Sequence, residues 1–86
     1  MSPDQIVADS LETLLDLDPD GFDELTPLSR LEGWDSVNAL RVLVYLEHEA
    51  GAPLDFERFG EAGTVGDLAD VLAAALGAGL PNGAVR

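Results

Sequence analysis

Cysteine is absent from the 86 residues. That removes disulfides, thiolate metal sites and a cysteine nucleophile together. Lysine is absent as well: four arginines and one histidine stand against 17 Asp and Glu, for a formal net charge of −13. Such a surface repels a phosphate backbone instead of releasing counterions from it, and anionic lipid repels it in turn. Neither nucleic acid nor a membrane is therefore an expected partner. No run approaches the roughly 20 apolar residues of a membrane span. The opening residues MSPDQIVADS hold neither the basic region nor the apolar stretch of a signal peptide, so a cytoplasmic protein is expected.

Hydrophobic residues make up 47% of the chain, which is incompatible with disorder despite the charge. The length fits one small domain, one that buries about 60–65% of its unfolded surface. Three helix patterns stand out. The first opens on Ser2, Pro3 and Gln5, an N-cap, a first-turn proline and the far half of a capping box. Ile6, Val7, Leu11, Leu14 and Leu15 follow on one face, and the pattern ends before Pro19. The second spans Ser36–Ala50 and stops at Gly51, a C-terminal cap. The last opens on the capping box Thr64-Val65-Gly66-Asp67 and continues through Leu68, Val71, Leu72 and Leu76 to Gly77. Phe56 and Phe59 between them predict one short helical turn, and no alternating strand pattern occurs.

Residues 18–35 form a long connection whose apolar residues Phe22, Leu25, Leu28 and Leu31 recur every third position, as in an ordered crossover lying on the core. The predicted architecture is all-α: a four-helix bundle with a short third helix and a long loop between helices 1 and 2. Residues 2–77 make the domain and 78–86 a flexible tail.

Catalytic machinery is hard to assemble from this composition. His48, the only histidine, lies in Glu47-His48-Glu49 near a helix end, where a solvated side chain is the plain reading. Without Lys or Cys no acid–base or nucleophilic set suggests itself. Asp16-Leu17-Asp18-Pro19-Asp20-Gly21 opens like a calcium loop, but Asp23 and Pro27 stand where an apolar residue and a bidentate glutamate are required. No catalytic or metal residues are expected.

The third candidate is Gly33-Trp34-Asp35-Ser36-Val37 at the mouth of the second helix. By itself, a serine there could be a helix N-cap. With the run Leu40, Val42, Leu43, Leu46, Glu47, Glu49 and Gly51, then Leu54 and Thr64-Val65-x-Asp67-Leu68, the chain resembles the acyl and peptidyl carrier protein family over about residues 3 to 76. The resemblance implies 4′-phosphopantetheine, taken from coenzyme A by a phosphopantetheinyl transferase, on Ser36, with Asp35 as its motif neighbour. It further implies a loading enzyme for an acyl or aminoacyl group held as a thioester, and downstream synthase or tailoring enzymes as partners. A phosphodiester at a helix N-terminus would meet unpaired N–H groups and the positive end of the dipole.

Two residues depart from the family's usual pattern: Trp34, where small or aliphatic residues are frequent, and Val37 in place of Leu. Trp34 reads first as a packing anchor for the long loop and second as a partner contact. At 100° per residue, Ala39, Leu40, Val42, Leu43, Leu46 and Ala50 share a core-facing arc. Val37, Arg41, Val44, Tyr45 and His48 lie opposite and, with Trp34, form the expected partner face. That face is apolar with a central cation, whereas carriers in fatty-acid synthesis carry acids there. The expectation is a freestanding, monomeric carrier. The lysine-free, Ala/Gly/Asp-rich usage resembles that of high-GC bacteria and suggests polyketide or nonribosomal-peptide-type specialised metabolism. The alternative is a helical interaction domain in which Ser36 is only an N-cap.

Overall fold

The computed structural model describes residues 2–78; Ala78, expected as the first residue of the 78–86 tail, ends the last helix instead, and residues 79–86 of that expected tail lie outside the described ones. Among the described residues there are four α-helices and no strand: α1 (Pro3–Leu15), α2 (Ser36–Ala50), α3 (Phe56–Glu61) and α4 (Val65–Ala78). The all-α four-helix expectation holds, short third helix included. Among the described residues no helix is long and apolar enough to cross a membrane.

Local caps set most helix ends. The Ser2 hydroxyl accepts the Gln5 amide at 3.2 Å, but the Gln5 side chain donates forward to Asp9 Oδ1 at 3.0 Å, so only half of the first capping box forms. At α4 the box is complete. Thr64 Oγ1 accepts the Asp67 amide at 3.1 Å, and Asp67 Oδ2 accepts the amides of Gly63 at 2.9 Å and Thr64 at 3.1 Å. Those two amides hold the Asp67 carboxyl below its ordinary pKa. Gly51 ends α2 at φ 69, with its amide on the Glu47 carbonyl; this left-handed turn favours glycine. The Glu47 carboxylate in turn accepts the Leu54 amide at 2.9 Å, fastening the α2–α3 connection to the helix before it.

Leucine and valine from α1, α2 and α4 build the core. Val7, Leu11, Val42, Leu46, Leu68 and Leu72 are shielded completely, with Leu28, Leu31, Leu54 and Phe59 closing its edges. α1 packs on both α2 and α4. Ser10 is also fully buried, and its hydroxyl donates to the Val7 carbonyl at 2.6 Å, which removes the cost of an unpaired polar group.

The long connection carries two 3₁₀ turns, Pro19–Gly21 and Leu28–Arg30, and is tied to the start of α4. Gly66 donates to Glu24 at 2.8 Å, Val65 to Thr26 at 3.0 Å and Leu28 to Gly63 at 2.9 Å. Phe22, Leu28 and Leu31 pack on the core as expected. Leu25 does not: it is 79% exposed, at the tip of a turn in which Asp23 Oδ1 accepts the Leu25 amide and the Thr26 hydroxyl. Phe56 is likewise exposed, and only Phe59 anchors α3.

Candidate functional site

The mouth of α2 is organised by Asp35, not by Ser36. Asp35 Oδ1 accepts the Asn38 amide at 2.8 Å and the Asp35 carbonyl accepts the Ala39 amide at 2.8 Å, the bonding of an N-cap. The reading in which Ser36 is only a cap is thereby corrected, because its neighbour holds that position and Ser36 is the first helical residue. The Ser36 side chain is exposed and makes no hydrogen bond among the described residues. The amides of Ser36 and Val37 belong to the first turn, where a helix offers no internal acceptor.

Asn38 fixes the approach to this turn, and sequence reasoning passed over it. Its Nδ2 donates to the Gly33 carbonyl at 2.7 Å and its Oδ1 accepts from Arg41 Nη1 at 3.1 Å. One side chain thus closes the loop onto the helix and steers Arg41. Gly33 turns the chain at φ 87, a conformation that favours glycine. Trp34, half-buried against the core cluster, follows with its amide on the Leu31 carbonyl at 3.1 Å. This placement matches the packing-anchor reading.

This geometry accommodates a phosphodiester on Ser36 Oγ. The hydroxyl is free and solvent-facing, two amides of the first turn remain open, and the positive end of a 15-residue helix lies beneath. The Asp35 carboxylate beside it is engaged with the helix it caps.

Along α2, Val37, Arg41, Val44, Tyr45 and His48 line one open, largely apolar groove of about 660 Å³, together with Leu40 and with Leu14 from α1. The structure therefore brings together five of the six residues expected at the partner face, leaving Trp34 apart. Leu40 is a correction: expected in the core arc, it is 49% exposed and lines the groove. Ala39, Val42, Leu43, Leu46 and Ala50 do pack on the core. Tyr45 is half-buried between the two sides, and partial burial with Glu49 and Asp9 nearby pushes its phenol above the ordinary value. The groove's α1 wall carries no signal in the α2 sequence. Leu14 continues the apolar pattern of α1, and only the packing of α1 on α2 shows that it turns to this side.

Acids of the α1–α2 connection serve its turns. Asp18 Oδ1 accepts the Asp20 amide at 2.9 Å and Asp23 caps its own turn, so neither adopts the pattern of a calcium loop. Among the described residues no group of three or more His, Asp or Glu is placed to hold a metal ion.

Against models of protein families, residues 5–72 match the one described as a phosphopantetheine attachment site. No curated protein matches the chain.

Proposed function

The chain belongs to the phosphopantetheine attachment site family, and on that premise we propose that it is an acyl or aminoacyl carrier with Ser36 as the attachment residue. The family carries 4′-phosphopantetheine covalently. When attached, that group supplies a thiol on a flexible arm, where a biosynthetic intermediate is held as a thioester. The observation that carries the assignment is the free Ser36 hydroxyl on the first turn of α2, with capping delegated to Asp35.

The chain's own residues position and present; they do not catalyse. Asp35 and Asn38 fix the first turn, so Ser36 Oγ is offered at one place to a phosphopantetheinyl transferase, which must supply the base that takes the hydroxyl proton. The open amides of Ser36 and Val37 favour the phosphodiester once formed. With no cysteine in the chain, acyl groups have one thiol on which to load. Loading and downstream enzymes dock on the α2 face beside Ser36, in a cytoplasmic pathway of polyketide or nonribosomal-peptide type; the apolar character of that face supports this part of the reading.

Intact-protein mass spectrometry after incubation with coenzyme A and a broad-specificity transferase tests the assignment. One phosphopantetheine per chain is expected, and none on Ser36→Ala. Addition at another residue, or none with several transferases, overturns it.

A further inference from the structure

Partner chemistry follows from the groove on α2. Val37, Arg41, Val44 and His48 are spaced at i, i+4, i+7 and i+11 and form one stripe, alternating apolar and basic along about 16 Å of helix. Val37 and Val44 are 68% and 64% exposed and Leu40 is 49% exposed, so carbon surface lies open between the two basic side chains. Leu14 supplies the opposite wall. Two of the chain's few basic side chains thus flank the main exposed apolar face among the described residues. Arg41 is held toward the Ser36 end by a neutral partner, Asn38 Oδ1, at 3.1 Å. At the far end Glu47 and Glu49 flank His48 in sequence, and Glu49 and Asp9 act on Tyr45. The basic character is therefore strongest at Arg41.

We propose that this groove receives an amphipathic helix of a partner enzyme whose apolar stripe carries carboxylates, one of them placed opposite Arg41. This deepens the carrier reading, on which it rests for the partner being an enzyme that acts at the arm. A net charge of −13 would by itself select basic partners. Beyond a Debye length of about 8 Å at physiological salt that field is screened, whereas a contact with Arg41 is not. The same charge on a second copy of the chain disfavours self-association through this face. Helix-in-groove docking takes its affinity from the apolar stripe, and the rim charges choose among partners.

Two synthetic amphipathic helical peptides test the proposal on the full chain. They share a leucine stripe and differ only in carrying Glu or Lys at two rim positions seven residues apart. By amide NMR titration near 0.15 M salt, the Glu peptide should bind about tenfold more tightly than the Lys peptide and shift Val37, Val44 and Tyr45. Arg41→Glu should reverse that order, and Val44→Asp should weaken both peptides about tenfold, with circular dichroism confirming that each variant is folded. Tighter binding of the Lys peptide to the wild type, shifts centred outside the groove, or an unchanged order in Arg41→Glu overturns the proposal. So do concentration-dependent groove shifts without peptide, which would make a second copy the occupant, and displacement of the peptide by an acyl group loaded on the arm, which would make that group the occupant. Modification of Ser36 is read separately by mass, so peptide preference without modification would sink the carrier reading and leave the groove's chemistry standing.

Discussion

Gly66 and Glu24 meet backbone to backbone. The Gly66 amide donates to the Glu24 carbonyl at 2.8 Å, and a Cβ on Gly66 would lie 2.9 Å from that same oxygen. A long connection of 20 residues between α1 and α2 is thus held on the start of α4 by an approach that tolerates no side chain. Because this connection leads into Gly33, Trp34 and Asp35, its anchorage contributes to where Ser36 is presented.

Gly66→Ala should therefore destabilise the fold by about 1–3 kcal/mol, the range for forcing extra volume into a filled site. Gly77, also in α4, has nothing within 4 Å of its would-be Cβ. Gly77→Ala should be neutral or stabilise by up to about 1 kcal/mol through helix propensity alone. Urea midpoints of the two variants measure the difference; equal shifts would show that the Glu24 contact carries no weight.

Core truncation should separate the two sides of α2. Leu46 is fully buried and Leu40 half-exposed, so Leu46→Ala should cost about 2–5 kcal/mol against a total of roughly 5–10 kcal/mol for a small domain. Leu40→Ala should cost well under that, near the scatter of surface changes, about 0.5 kcal/mol. Equilibrium unfolding decides, and a larger loss at Leu40 would return that residue to the core.

The fold was largely legible because its signals are local. Ser2, Gly51 and the Thr64–Asp67 box set helix ends through groups within a few residues of each other, and periodicity placed Leu11, Leu43, Leu46, Leu68 and Leu72 inside. What escaped depends on packing at a distance. Leu40 sits at the edge of the helical arc, and only where α1 and α4 lie decides whether it is covered. Leu25 fitted a three-residue spacing, but the Asp23 turn points it outward. At the candidate site, the Asp35-Ser36-Val37 motif pointed to the mouth of α2, whereas the division of labour in which Asp35 caps the helix and Ser36 stays free required hydrogen bonds. Asn38 was missed because its role is to reach back to a carbonyl five residues earlier.

Acid should act on the α4 cap with a definite sign. The Asp67 carboxyl is held below its ordinary value of 3.8 by the amides of Gly63 and Thr64. A depressed folded-state pKa gives stability that is fully present above the unfolded value and is lost as pH falls through the folded one. Wild type should thus exceed Asp67→Asn in urea midpoint by a constant margin above about pH 5, and the margin should close as pH falls below 3.8. A margin that grows on acidification would assign the cap's effect to something other than the carboxylate.

Asn38 should matter for the presentation of Ser36 more than for the fold. Its side chain joins the Gly33 carbonyl to Arg41, both on the surface, so Asn38→Ala removes two solvent-accessible hydrogen bonds worth about 0.5–1.5 kcal/mol each at most. The hydrogen bond that the Asn38 backbone N–H donates to Asp35 Oδ1 does not use the Asn38 side chain and survives the substitution, so α2 keeps its cap. What is lost is the closure of the loop over the first turn and the restraint on Arg41. Both bear on how a transferase meets Ser36 and neither bears on chemistry at the hydroxyl. Asn38→Ala should accordingly raise the KM for phosphopantetheinyl transfer about three- to tenfold while kcat changes less than twofold, a loss of roughly 0.7–1.4 kcal/mol in recognition. Asn38→Asp separates the two contacts: it keeps an acceptor for Arg41 but sets a carboxylate against the Gly33 carbonyl, so it should restore Arg41-dependent docking without restoring the loop. Steady-state transfer kinetics on the two variants, with urea midpoints alongside, read the outcome. If both lose stability in proportion to KM, Asn38 is a structural residue only; if kcat falls instead, the hydroxyl's own environment depends on it and the assignment of its role is wrong.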